Sequence, residues 1–289
     1  MIAIVSYYSV GAYDTNTVNE DEILSSVLNE LGFSNQIVPW SDQNINWDDF
    51  SAILIKSTWD YFDYYPQFLE WIKKIKSLNK PVLNDLDTIK WNSSKNYLNE
   101  IKRKGFNVIS GLELKKGESV AVSELLENLL ADTLVVKPMV SGGAKNTLKL
   151  KKTEWNSYSE KIQSLVNEED FLVQPFIPEV QEVGEYSLIF FNGEFSHAVL
   201  KTPASGDFRV QHYFGGEIKS ILPTEKMKEE AKAFISEFAP ESLYARVDGV
   251  EIEGTFHLME LELIEPYLFL TSHPAAIQNY KEALRKRLS

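Results

Sequence analysis

Glu260 and Glu262 stand two apart in the apolar stretch Leu258–Ile264, so on a strand both carboxylates project from one face while Leu261 projects from the other. Asp248 lies in the preceding strand, across a short turn at Gly254. Adjacent carboxylates repel unless something neutralises them. A hard divalent cation does so, typically through one or two carboxylates plus substrate phosphates, which makes Mg²⁺ the natural candidate. A solvated acidic strand face is the alternative, but buried acids need partners and this stretch is among the most apolar in the chain. A second cluster runs over residues 134–147, where Lys137 ends an apolar run and Ser141-Gly142-Gly143-Ala144-Lys145 follows at once. Glycines let a backbone close over phosphates and present its N–H groups, and a nearby lysine adds a point charge. The lysine precedes the glycines and a strand follows them, so this is not the loop of a strand–loop–helix NTPase; an ordinary glycine-rich turn is the competing reading.

Two further segments carry weaker signals. Lys201 and Arg209 bracket a glycine-containing loop ahead of Gly215-Gly216, and a guanidinium suits a carboxylate or a phosphoryl group in transfer. Residues 171–179 form an apolar run broken by Pro175 and Pro178. Proline demotes a strand to an edge or a chain reversal, leaving backbone groups that could read a base edge or merely serve as a hinge.

These side chains need elements to hold them. Ile2–Val5, Ile37–Pro39, Ala52–Ile55 and Val82–Leu83 are short apolar runs that read as buried strands. Between them, Asn19 with Glu22 forms a helix start, Ile23–Leu31 repeats at helical spacing, Gly32 stops it, and Pro66 opens a second helix. Strand–helix alternation predicts an open α/β lobe over roughly the first 85–90 residues. Lys95–Lys104 then reads as a helix ending at Gly105. Strands at 134–137, 147–150 and 171–174 surround one further helix. Asn192-Gly193 and Gly254 mark two hairpins, 186–200 and 244–262, with helices near 224–238 and 274–288.

Composition narrows the field. The 289 residues contain no cysteine, which excludes disulfides and thiolate chemistry, and no pair among the four histidines has zinc-ligand spacing. A formal charge of −13 disfavours binding by phosphate neutralisation, so no nucleic-acid partner is expected. No run approaches the ~20 apolar residues of a membrane span, and the N-terminus lacks the basic flank of a signal peptide, so a cytoplasmic location is expected.

Taken together, the four clusters resemble the ATP-grasp superfamily, in its glutathione-synthetase-like branch, over about residues 90–270. A closer resemblance, carried by Lys56–Tyr61, Trp91-Asn92, the run Gly193–Gln211 and the run Met259–Phe269, is to the ATP-grasp subfamily that includes the cycloserine-forming O-ureidoserine cyclo-ligase. Lys56 stands where that group usually has Arg. The resemblance implies an α/β N-terminal lobe (residues 1–88) followed by two α+β lobes (89–173 with the glycine-rich lid, 174–289 with the metal site) that sandwich ATP.

It also implies roles. Lys95 and Lys137 would grip the phosphates, and Ser141, Gly142, Gly143 and Ala144 would lie in the loop that closes over them. Gln174, Pro175, Phe176 and Ile177 would face adenine, and Glu185 the ribose. Asp248, Glu260 and Glu262 match the ligands of one or two Mg²⁺, with Mn²⁺ an alternative; many members have Asn at the third position. Arg209 matches the arginine that steadies the transferring phosphoryl group, and Lys201 stands where glutathione synthetases have Arg. Ser57, Thr58, Trp59, Asp60, Gly215 and Gly216 would form the substrate surface, although Trp59 and Tyr61 equally suit packing between lobes.

The activity implied is ATP-dependent ligation. A small amino-acid or peptide-like carboxylate becomes an acylphosphate that an amine-type nucleophile attacks, between two molecules or within one, in a homo-oligomer or a monomer. The rival is a nucleotide-binding protein of the same fold without ligase activity. Arg209→Lys separates them. It keeps the charge but loses the two-pronged hydrogen bond, so turnover falls ~10²-fold while ATP affinity holds. Nucleotide titration beside single-turnover acylphosphate formation checks this, and weakened ATP binding with unchanged turnover makes Arg209 a ground-state phosphate contact.

Overall fold

A computed structural model describes residues 1–8, 18–119, 122–129, 131–204 and 215–289. The first sheet has the order β2-β1-β3-β4, all parallel: β1 (Ile2–Ser6), β2 (Asn35–Pro39), β3 (Ala52–Ile55) and β4 (Val82–Leu83). Every residue of β1 and β3 is buried, as expected of strands covered on both faces. The covering helices are α1 (Glu20–Glu30) and α2 (Tyr65–Ser77). Asn19 caps α1 by accepting from the N–H groups of Asp21 and Glu22, Gly32 follows it at φ +84°, and Pro66 occupies the first turn of α2. Two short helices follow, α3 (Leu86–Asn92) and α4 (Tyr97–Arg103). The helix expected over Lys95–Lys104 is shorter than that, and Lys95 lies in the turn between the two, two residues ahead of α4.

The second sheet is antiparallel with the order β5-β8-β6-β7, built from β5 (Leu112–Leu114), β6 (Thr133–Pro138), β7 (Leu148–Lys151) and β8 (Phe171–Pro175). Helices α5 (Val122–Leu129) and α6 (Trp155–Glu168) pack on it. Here one expectation fails: β8 is an interior strand, not an edge. Pro175 is tolerated because it sits at the last position, beyond the reach of β5, whose pairing ends at Leu112 opposite Val173.

After the one-turn α7 (Glu179–Glu182) comes a five-stranded antiparallel sheet, β11-β10-β9-β12-β13. Its strands are β9 (Glu185–Phe191), β10 (Glu194–Thr202), β11 (Glu217–Ile221), β12 (Tyr244–Ile252) and β13 (Thr255–Glu262). Both hairpins turn where expected, with left-handed backbone at Asn192-Gly193 (φ 48° and 74°) and Glu253-Gly254 (φ 50° and 73°). Alternation sorts this sheet. Leu188, Val247 and Leu261 face α8 (Glu225–Phe238) through Met227, Ala231 and Phe234, while charged residues occupy much of the other face. Beyond them, Ile189, Phe191 and Tyr244 on the charged side share a core with β1, α1 and α9 (Ala276–Leu288).

Buried polar residues lock the first lobe to this sheet. The Asn84 amide donates to the carbonyls of Tyr244 and Leu263, both at 2.9 Å, and its oxygen accepts from the N–H of Leu243 at 2.7 Å. Asn92 does the same for Leu261 and Leu263. Lys56, fully buried, reaches Glu20 at 2.9 Å and the Pro266 carbonyl at 3.0 Å. Asn84→Ala leaves several buried backbone groups without partners and costs about 2–4 kcal/mol. Urea denaturation checks this; a change near zero makes the contact dispensable.

Candidate active site

The charged face of the five-stranded sheet is written in its register. Asp248 lies opposite Glu260, Arg246 opposite Glu262, Asp248 also opposite Ser187, and Lys201 opposite Glu185. Glu262 and Glu185 therefore each meet a cation on the neighbouring strand, whereas Asp248 stands across from another acid. Arg246 holds Asp248 through Nε and Nη2 (2.8–3.1 Å) and also donates to Glu262. Lys201 bridges Asp248, at 3.2 Å, and Glu185. Ser187 donates to Asp248 at 2.6 Å. Burial raises the Asp248 carboxyl, but Arg246 and Lys201 outweigh it and hold the acid well below the ordinary carboxylate range.

The two sheets meet at Glu260. Its Oε1 lies 2.8 Å from Lys137 Nζ, at the end of β6, and 3.9 Å from Lys95 Nζ. Burial opposes ionisation there, yet the two lysines win and bring Glu260 down to about 2. The Lys95 ammonium also donates to the Ser141 carbonyl at 2.9 Å, and its backbone N–H to Met139. Burial and the neighbouring Lys137 lower Lys95, against the pull of Glu260. Two lysines from separate elements are thus held at the root of the glycine-rich loop.

That loop does not hang free. Gly142 packs so closely on Phe62 that an added Cβ would lie 2.6 Å from its ring, and Lys145 pairs with Asp63. The anchor of the glycine-rich loop comes from the first lobe. Gly143, Ala144 and Asn146 all take left-handed backbone, which the sharp turn requires.

A cavity of about 950 Å³ lies between these parts. Lining it are Lys95, Lys137, Ser141, Gly142, Gly143 and Ala144; then Gln174, Pro175, Phe176, Ile177 and Glu185; then Lys201, Asp248, Glu260 and Glu262. Of the expected substrate surface, Trp59 and Gly216 line it as well. Ser57, Thr58 and Asp60 do not. Ser57 donates to Asp21 at 2.6 Å, Thr58 is wholly buried, and Asp60 accepts from the Trp40 indole outside the cavity. Gly215 is exposed and does not line the cavity. Arg209 lies outside the described residues. The Gln174 side chain donates to the Ile109 carbonyl, which orients the segment leading to Phe176.

Sequence reasoning missed Arg246. Its signal was available, since it stands two residues before Asp248 on one strand and so shares its face. It also missed Glu265, three residues past Glu262, which lines the cavity. Burial raises Glu262 to about 7 against the pull of Arg246, with Asp248 and Glu260 adding to it; burial and then Glu262 raise Glu265 to about 8. The acids outnumber their cations here, and a hard divalent ion suits that imbalance. Among the described residues no three acidic or histidine side chains are arranged to hold a metal unaided, so the donors fit an ion shared with ligand phosphates.

Comparison with known proteins accords with this geometry. Residues 2–84 match the family described as D-cycloserine synthetase DcsG, N-terminal domain, and residues 115–266 match that described as prokaryotic glutathione synthetase, ATP-grasp domain. The cycloserine biosynthesis protein DcsG of Streptomyces lavendulae is 24% identical over 270 residues, 89% of this chain and 90% of that protein. Over 113 residues, 38% of this chain and 36% of the relative, a glutathione synthetase from Prochlorococcus marinus is 30% identical. The crystal structure of D-cycloserine synthetase DcsG superposes with a TM-score of 0.86 at 24% identity, covering 100% of this chain and 99% of that one. A D-alanine–D-alanine ligase from Bacillus anthracis complexed with ATP gives 0.64 at 18% identity, covering 99% and 98%. With more than half of its length matched by the one domain, the chain belongs to the prokaryotic glutathione synthetase ATP-grasp family and is an ATP-dependent ligase of the ATP-grasp fold.

Proposed function

We propose that the chain uses ATP and Mg²⁺ to activate the carboxylate of a small amino-acid-derived substrate as an acylphosphate, which an amine-type nitrogen then attacks. The observation that carries this reading is the convergence of Lys137 and Lys95 on Glu260 beneath the glycine-rich loop. Similarity to a cycloserine biosynthesis protein over 89% of the chain supports a nitrogen within the same molecule, a ring closure. Product analysis separates this from joining two molecules, since only the latter needs a second substrate. The same reading divides the chain into a substrate lobe (1–88), a lobe with the lid (89–173) and a lobe with the acids (174–289).

In this scheme the triphosphate takes the place that Glu260 now fills for the two lysines. Lys95 and Lys137 bind it as point charges, and the Gly142-Gly143 backbone closes over it. Glu260 and Glu262 would hold the magnesium, one ion or two, which supplies charge neutralisation between the phosphates. Asp248 fixes Arg246 with a two-pronged contact, so that the guanidinium faces the cavity in one orientation. Arg246 then stabilises negative charge that develops at the acyl centre, alongside the role assigned to Arg209. Gln174 to Ile177 line the adenine end, where β8 has lost its β5 neighbour.

Two measurements test the scheme. Glu260→Gln keeps the shape and removes the charge; turnover falls ~10²-fold or more at saturating Mg²⁺, the scale of losing one preorganised electrostatic group. Near wild-type turnover would make the acid structural. Separately, Gly142→Ala drives a methyl group into Phe62, so the loop lifts: hydrogen exchange over 141–146 quickens and KM for ATP rises. Adding Phe62→Ala restores the space and recovers most of the loss, and an absence of recovery would show that the loop does not seat on Phe62.

A further inference from the structure

The carboxylates lining the cavity divide into those that have a cation and one that does not. Glu185 has Lys201, Glu217 has Lys219, Asp248 has Arg246 and Lys201, Glu260 has Lys137, and Glu262 has Arg246. Glu265 forms no ion pair among the described residues, and its carboxyl accepts only from its own backbone N–H. A half-buried acid facing a cavity without a partner is costly, and here the cost is fixed in place.

The backbone that carries Glu265 is pinned at each step. The Ile264 carbonyl accepts from the Tyr244 hydroxyl at 2.8 Å, that of Glu265 from the Trp59 indole at 2.9 Å, that of Pro266 from Lys56 at 3.0 Å, and that of Tyr267 from Arg246 at 2.9 Å. These contacts hold the Glu265 backbone, and with it the root of the side chain, at the cavity wall. Trp59, Tyr61 and Tyr267 line the same cavity. Aromatic faces beside a carboxylate suit an organic cation, which sheds water onto π surfaces, better than a magnesium ion, which keeps its waters.

Building on the proposed ligase reading, we infer that Glu265 is a specificity-determining residue that accepts the ammonium group of the amino-acid-derived substrate. The carboxylate to be activated then points back toward Arg246 and Glu262, and the ammonium completes the charge pairing that the protein leaves open. Burial and the Glu262 charge raise Glu265 to about 8, as expected of an acid awaiting a cation, and a docked ammonium favours its ionised form.

The test uses matched probes: alanine against lactate and serine against glycerate, each in both enantiomers, titrated calorimetrically into the full chain with AMP-PNP and Mg²⁺ bound. At least one amino acid binds ~10-fold or more tighter than its hydroxy acid, the scale of one charge-assisted contact. Glu265→Gln abolishes that preference and leaves AMP-PNP–Mg²⁺ affinity unchanged, while Glu265→Asp, charged but a methylene shorter, keeps part of it. Equal binding of each pair by the wild type, or a preference that survives Glu265→Gln, overturns the inference. So does a loss of AMP-PNP–Mg²⁺ affinity in that variant with the preference intact, which makes Glu265 a metal carboxylate. Should the wild type bind no AMP-PNP–Mg²⁺, the ligase reading fails instead, and the same pairs titrated into the nucleotide-free chain still decide the role of Glu265. A Glu265→Gln chain that does not fold passes the decision to Glu265→Asp.

Discussion

Like charges crowded on one sheet face must be neutralised, and most of this architecture follows from that constraint. Asp248 has three other carboxylates around it, with Glu260 beside it and Glu185 and Glu262 close by. The antiparallel register answers by placing Arg246 across from Glu262 and Lys201 across from Glu185, so the ladder that holds the strands together also pairs the charges. A one-residue slip would send every member of this set into the apolar layer against α8. The charged face and the fold are therefore specified by the same alignment.

The cavity is completed by pieces from far along the chain, and each is tied down by polar contacts rather than by size. Asn84 and Asn92 anchor the first lobe and the short helix after it to the backbone at the start of β12 and the end of β13, and Lys56 binds Glu20 and Pro266. Glu20 in turn accepts from the N–H groups of Leu268 and Leu270. These contacts fix the floor of the site to within a hydrogen bond's tolerance, which orientation-dependent chemistry requires.

Much of this was legible in the sequence because it is local. The period-two placement of Glu260 and Glu262, the Asn192-Gly193 turn and the Asn19 cap depend on near neighbours alone, and the structure has each in place. Lys137 and the glycines could be found for the same reason. What escaped depends on distance. Nothing near Lys56 announces Glu20, nothing near Ser57 announces Asp21, and so a buried ion pair and a buried hydrogen bond read as a substrate surface. The interior position of β8 depends on β5, some sixty residues earlier, which a rule about proline in one strand cannot see. Arg246 is the exception, a local signal, since it stands two residues before Asp248 on the same strand face.

The apolar cores are unevenly shared among the three sheets. The parallel sheet and the five-stranded sheet contribute to one continuous cluster, from Ile4 and Leu54 to Phe191, Tyr244 and Tyr280. The sheet of residues 112–175 has its own, and among the described residues only Met139, Val140 and Leu172 reach from it into neighbouring cores. Swinging the first lobe would expose oil to water, whereas swinging the 112–175 lobe would mainly exchange polar contacts for hydration. Stiffness in this enzyme is thus asymmetric: the side of the cleft built on the parallel sheet behaves as a fixed anvil, and the 112–175 side is the one that can lift at little cost.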